Sequence, residues 1–409
     1  MTPAEDKICM ALRETAQEIP ADPPPLRLGV QRRPARRRRG WHAWVAPLAS
    51  GVVVVAVIVA SMALVQRPHP GRVTGPAAGS VGANGVPPYY VALVTSQKPP
   101  DEYNFHDAVA EVRATDTGAV IAAIAPPKPY VTFAGVTAAA DDRTFVLVAK
   151  ASNTDVPVPA ARFFLLRIDP GAPGRQATMQ PLPSGFIPAG AGVIDMALSP
   201  DGTSLAAGIG DIVSSRLYVY DLATGTQRTW SYRACGQCLP SAGGLGLGGV
   251  NADALSWTAD GQHIAFVASR LSPKDGGIRL LDISRPGTDM LANSERVAQW
   301  PSGYDEAAGS GWRGALITPD GKTVLAVEEL VTREPGVRER LVKFSAATGN
   351  QTATVNDLGV TANYEQILHT DATGDVLILS YAHGDGAEIL SGGRYTPIPW
   401  TSSTVAAAW

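Results

Sequence analysis

The chain has 409 residues, enough to bury one large core or two ordinary ones, and it carries 42 glycines, 33 prolines and only 17% charged residues. That mix argues against a helical bundle and suits many short strands and turns. The formal charge of -3 hides an asymmetry, because residues 1–44 hold nine Lys/Arg against five Asp/Glu, leaving 25 against 32 in residues 45–409. The resulting balance of -7 offers no basic stripe for phosphates, so nucleic acid is set aside as a partner.

In chain order, residues 1–43 read as a cytoplasmic tail. Within it, residues 5–19 (EDKICMALRETAQEI) place Ile8, Ala11, Leu12, Thr15 and Ile19 at helical spacing before PADPPPL stops the helix. Two readings stand here: a docking helix for a cytoplasmic factor, or a solvated tail whose isolated helix is marginal in water. Six arginines then fall between Arg32 and Arg39, followed by Trp41 and Trp44. Residues 44–65 (WVAPLASGVVVVAVIVASMALV) contain no charge, and a helix of that length spans roughly 30 Å of hydrocarbon. With arginines held inside, the expectation is a single-pass anchor in the cell membrane, N-terminus cytoplasmic and the bulk of the chain extracytoplasmic. A cleaved signal peptide is the rival, with Ser61–Ala63 as its small-residue site. The apolar run is too long for it and about forty residues precede the run. Residues 66–86 are Pro/Gly/Ala-rich and read as a flexible linker.

Residues 87–409 repeat. An apolar run, a polar turn and a second apolar run recur at Asp141, Asp201, Asp260, Asp320 and Thr373, at intervals of 60, 59, 60 and 53 residues. Each unit also carries a second hairpin ending in glycine, near Gly118, Gly171, Gly225, Gly287, Gly349 and Gly392. Proline presets the first turn, aspartate bonds the amides beyond it, and glycine takes the positive φ that closes it. Four strands of ~5 residues per unit form an antiparallel sheet that cannot hide both faces alone, and radial stacking hides them.

Ser199-Pro200-Asp201-Gly202, Thr318-Pro319-Asp320-Gly321 and the divergent Thr258-Ala259-Asp260-Gly261, each followed by an apolar strand and a hairpin such as Tyr218–Gly225, resemble the WD40-like repeats of the TolB propeller domain and its relatives. The resemblance covers about residues 87–409 and implies an all-β fold, a six-bladed β-propeller preceded by the single transmembrane helix; five or seven blades stay open. The Trp-Asp pair of eukaryotic WD40 repeats is absent. The first unit opens directly on PPYYVALVTS without an innermost strand, and Trp409 stands where Leu198, Trp257 and Ile317 stand, three places before their turn residues. Val405–Trp409 is therefore expected to supply the missing strand and close the ring.

Residues that carry chemistry are sparse. Cys235 and Cys238, in ACGQCLP, read as a disulfide outside the membrane, with metal and redox roles as alternatives that lack the further ligands or the βαβ setting they need. The nucleophile elbow, the His-Glu-x-x-His motif and the calcium loop are all absent, so no catalytic residue, metal site or cofactor is assigned. The six histidines are scattered, and the pairs Asp305-Glu306 and Glu328-Glu329 read as solvated faces. The charges at the starts of innermost strands, Asp195, Asp253, Arg313 and Glu365, are the candidate ligand-binding set for a central channel. Tyr103, Trp230, Tyr232, Trp300, Tyr304 and Trp312 are candidate rim aromatics, some of them expected in the core.

The leading functional reading is a membrane-tethered, non-enzymatic module that binds an extracytoplasmic protein, peptide or glycan. A transmembrane regulator resembling membrane-bound anti-sigma proteins is the second, weakened by the missing His/Cys zinc cluster. A propeller hydrolase or lyase is the third and would need acidic residues gathered at one mouth of the channel.

Overall fold

The computed structural model describes residues 87–96, 107–151, 161–169, 177–183, 187, 192–210, 215–231, 252–268, 276–299, 311–331, 337–361, 365–370, 376–380, 386–391, 394–399 and 404–409. All fall in one compact unit, Val73–Trp409. The expectations for residues 1–86, the anchor at 44–65 included, lie outside the described residues. No helix among the described residues is long and apolar enough to cross a membrane.

The repeat folds as its turn chemistry dictates. In chain order the strands are β1 (Tyr89–Val94), β2 (Val109–Ala114) and β3 (Val120–Ile124), then β4 (Tyr130–Ala138), β5 (Thr144–Ala151), β6 (Ala161–Ile168) and β7 (Ala177–Pro181). The third group is β8 (Gly192–Leu198), β9 (Ser204–Gly210), β10 (Ser215–Asp221) and β11 (Gln227–Ser231). The fourth is β12 (Ala252–Trp257), β13 (His263–Ala268), β14 (Gly277–Asp282) and β15 (Ser294–Ala298). The fifth is β16 (Gly311–Ile317), β17 (Thr323–Val331), β18 (Val337–Ser345) and β19 (Gln351–Thr361). The last is β20 (Glu365–Thr370), β21 (Val376–Ser380), β22 (Gly386–Ser391) and β23 (Arg394–Ile398), with β24 (Thr404–Ala408) after it. Each later group is a four-stranded antiparallel sheet in sequence order, while the first sheet has the order β24-β1-β2-β3. The expected closing strand is therefore present, and β24 pairs with β1 from Val91↔Ala408 to Val94↔Thr404.

These sheets cannot stand alone, since both faces of each are apolar, and the core is shared between neighbours. Val146 and Phe163 of the second sheet pack with Leu198 and Leu205 of the third. Similar clusters join the first sheet to the second, the third to the fourth, the fourth to the fifth and the fifth to the sixth. Ile389 and Ile398 of the sixth then pack against Tyr90, Ala407 and Trp409 of the first. The strands β24, β4, β8, β12, β16 and β20 neighbour one another around the same circuit, which makes them the innermost strands of a closed ring. The fold is an all-β propeller.

The inner turns repeat one hydrogen-bond pattern. In the third sheet the Ser199 hydroxyl donates to Asp201 Oδ1 at 2.6 Å and accepts from the Ser204 N–H at 2.9 Å, while Asp201 Oδ1 accepts from the Thr203 N–H at 3.0 Å. Thr258 and Asp260 do the same in the fourth sheet, and Thr318 and Asp320 in the fifth. Gly202 closes its turn at φ 68° and donates its N–H to the Ser199 carbonyl at 2.8 Å.

These bonds hold the turn carboxylates below their ordinary range. Burial pushes Asp201 and Asp260 up, but donation from Ser199 and Thr203, and from Thr258 and Gln262, outweighs it; Asp320 is lowered chiefly by the Thr318 hydroxyl, then by the Lys322 N–H. A carboxyl with a lowered folded-state pKa stabilises the fold above its unfolded value of about 3.9, and that contribution disappears as pH falls through the folded value. Urea midpoints measured near about pH 7 and about pH 2.5 should accordingly fall less in the triple variant D201N/D260N/D320N than in the parent. Equal falls would mean that the turn carboxylates play no part in acid stability.

Candidate functional site

The two ends of the ring differ in their connections. One end holds the tight inner turns and the hairpins between third and outermost strands, such as 222–226 and 346–350. The opposite end receives the connections from second to third strands and from each outermost strand to the next innermost one. The longest connections, 95–108, 232–251 and 299–310, all belong to that second group. Adjacent innermost strands are held at matching heights: the Leu198 N–H donates to Thr137 Oγ1 at 3.1 Å, the Ile317 N–H to Ser256 Oγ at 2.9 Å, and Trp257 Nε1 to the Ala197 carbonyl at 2.9 Å.

The four candidate residues lie on four consecutive innermost strands: Asp195 on β8, Asp253 on β12, Arg313 on β16 and Glu365 on β20. Asp253, Arg313 and Glu365 sit toward the strand starts, and therefore toward the end with the long connections, while Asp195 lies at the middle of β8. Each innermost strand also breaks its ladder there. The second, third and fifth sheets skip Ala134, Ile194 and Arg313, each seven residues before its turn aspartate, with a further break at Val131 in the second, and the first sheet skips Val405, four residues before its Trp409 landmark as the others are before theirs. In the fourth and sixth sheets the break falls one or two residues nearer the turn, at Ala254 and Leu255 and at Leu368. Bulges of this kind bend a strand and re-aim it, and they are frequent beside binding sites.

Of the four, Asp195 has a described side chain, and it works as a strut. Its Oδ1 accepts from the Met196 N–H at 2.8 Å, and its Oδ2 accepts from the Leu255 N–H of the next innermost strand at 2.6 Å. The side chains of Asp253, Arg313 and Glu365, and the whole of Cys235 and Cys238, lie outside the described residues, as do Tyr103, Tyr232, Trp300 and Tyr304. Two of the candidate rim aromatics are core: Trp230 packs with Leu217 and Met290 between the third and fourth sheets, and Trp312 stacks edge-on against Phe344 with ring centroids 5.3 Å apart.

One reading from charge alone is corrected. Glu328 and Glu329 are not a solvated face; they are 6% and 4% exposed, and Glu339, directly opposite Glu329, is 1% exposed. Glu328 faces the fourth sheet, where Arg340 Nε donates to its Oε2 at 2.7 Å. Glu329 and Glu339 share the strand face that carries Val327 and Leu341 toward the sixth sheet. The only sequence signal for this was the apolar frame of TVLAVEELV, which marks β17 as buried on both faces. Among the described residues no group of three or more His, Cys, Asp or Glu could hold a metal ion.

No family model and no curated protein sequence matches the chain. Among solved structures, TolB from Acinetobacter baumannii is similar at 14% identity and a TM-score of 0.46, covering 88% of this chain and 71% of that one. Hydrazine synthase of Kuenenia stuttgartiensis is similar at 13% identity, TM-score 0.44, covering 69% and 70%. The periplasmic gluconolactonase of Pseudomonas aeruginosa is similar at 14% identity, TM-score 0.42, covering 78% and 98%. Likenesses this distant concern fold alone.

Proposed function

We propose that this chain is a six-bladed propeller, tethered to the cell membrane through residues 44–65, that acts outside the cell as a non-enzymatic binding module for a protein, peptide or glycan. The carrying observation is the inequality of the two ends: tight, hydrogen-bonded turns at one, and at the other the longest connections together with the strand starts that hold Asp253, Arg313 and Glu365, with Asp195 further along its strand. Rigid scaffolds present variable loops for recognition in this manner. Cys235 and Cys238 lie within 232–251 and are assigned to a disulfide that restrains that loop.

The test is a crosslinking pull-down from intact membranes, comparing the parent with the triple variant D253N/R313Q/E365Q. A partner enriched with the parent and lost with the variant supports the reading. A partner retained by the variant, or captured only through residues 5–19, argues for the regulator instead.

A further inference from the structure

An aspartate followed by glycine is where a backbone rearranges most readily, because glycine sets no side chain between its nitrogen and the preceding carboxyl. Three such pairs, Asp201-Gly202, Asp260-Gly261 and Asp320-Gly321, close inner turns, while those at Asp275 and Asp385 lie outside the described residues. In each turn the glycine N–H donates back to the hydroxyl residue's carbonyl: Gly202 to Ser199 at 2.8 Å, Gly261 to Thr258 at 3.0 Å and Gly321 to Thr318 at 2.8 Å. While that bond stands, and the carboxylate keeps its own donors, the nitrogen is not free to attack. The turn of the fourth sheet is held with less restraint than the other two. Pro200 and Pro319 preset φ in the third and fifth sheets, and Ala259 takes their place in the fourth. The carbonyl that leads into the aspartate is anchored by the preceding sheet in the third turn, where the Ala140 N–H donates to Pro200 at 3.1 Å, and in the fifth, where the Ala259 N–H donates to Pro319 at 2.9 Å. Proline has no N–H, so Pro200 cannot make the corresponding bond to Ala259. The glycine is uncovered as well: a Cβ at Gly202 would lie 3.4 Å from Ala139 Cβ and one at Gly321 3.5 Å from the Thr258 methyl, but at Gly261 it meets nothing within 4 Å. Ser199, which stands in the preceding sheet where Thr258 stands for Gly321, lacks that methyl.

We propose that the Asp260-Gly261 pair is a site of spontaneous backbone modification, converting to isoaspartate ahead of the equivalent pairs at Asp201 and Asp320. When the turn opens, the Gly261 nitrogen attacks Cγ of Asp260. A C–N bond forms, and one carboxyl oxygen leaves as water, carrying the amide proton and a proton from solvent. Water then opens the cyclic imide at its main-chain carbonyl, so that the chain runs through the former side chain and is one methylene longer. The carboxylate that accepts from the Thr258 hydroxyl and the Gln262 N–H is thereby displaced, and the fourth sheet loses the fastening of its inner turn.

The measurement is site-resolved isoaspartate, by peptide mapping of the purified full chain stored folded at mildly acid pH. Isoaspartate at position 260 should accumulate at least about twofold faster than at 201 or 320, the margin that one turn proline contributes. Pro319→Ala gives the fifth turn the Thr-Ala-Asp-Gly sequence of the fourth, and should raise accumulation at 320 by about two- to fivefold, with 260 as the internal standard. In urea above the unfolding midpoint the three rates should converge, because the turns no longer exist. Equal rates in the folded chain, or a lead at 201 or 320, overturn the proposal, as does Pro319→Ala without effect at 320. A lead at 260 that persists unchanged in urea overturns it too, since the cause would then lie in the local sequence and not in the fold.

Discussion

Removing residues 404–409 should unfold the propeller at a markedly lower temperature than any single core substitution. The segment supplies the innermost strand of the first sheet, pairing with β1 over Val91–Val94, and delivers Ala407, Ala408 and Trp409 to buried positions. Trp409 is 0% exposed and sits in a cluster that joins the sixth sheet to the first, a junction the Tyr90 hydroxyl also bridges by donating to the Pro399 carbonyl at 2.6 Å. Trp409→Ala alone should cost about 3–5 kcal/mol. At roughly 2–4 °C per kcal/mol in a large domain, that reads as a fall of roughly 6–20 °C in Tm. Deletion of the whole strand adds the lost ladder and leaves β1 as an open edge, so the fall should exceed that of the point variant and be accompanied by aggregation. A truncated chain that melts with the parent would show that the ring is held by its other junctions and that β24 is dispensable.

How much of this could be read beforehand depends on how local the cause is. The inner turns were legible because a hydroxyl, an aspartate and a glycine within four residues make their bonds to one another. Closure by the C-terminal strand was legible for a similar reason, since Trp409 falls at a landmark that three other units display. The strut from Asp195 to the Leu255 N–H was not read, although the two residues are one repeat interval apart. Its carboxylate looked like a channel group because strand position does not say which way a side chain turns. The buried Glu328 was missed because its partner, Arg340, comes from the third strand of the sheet, and a charged pair on one strand reads as solvated until the register is known. Ladder breaks were likewise invisible, since the skipped positions share no residue type and range from Ala134 to Arg313.

The second large effect concerns a glycine whose need is only half local. Gly349 closes the hairpin between β18 and β19 at φ 69°, and Gly261 closes an inner turn at φ 63°. An alanine in that backbone region costs roughly 1–2 kcal/mol at either position. The surroundings then separate the two, for a Cβ at Gly261 meets nothing within 4 Å, whereas at Gly349 it would lie well inside 3.0 Å of the Val297 carbonyl oxygen on the neighbouring sheet. That oxygen belongs to the backbone of β15 and cannot swing aside, so relief requires the fourth and fifth sheets to part. Overpacking of that kind adds about 1–3 kcal/mol. Gly349→Ala should therefore lower the urea midpoint by roughly one and a half to four times as much as Gly261→Ala. The same reasoning extends to Gly118, where the Cβ would overlap the Pro399 side chain at the junction between the sixth sheet and the first. The proline Cβ is bonded to the backbone and moves only with it, so Gly118→Ala should also cost more than Gly261→Ala. Equal midpoints for Gly349→Ala and Gly261→Ala would mean that the fourth and fifth sheets do not meet as closely as the hairpin glycine requires.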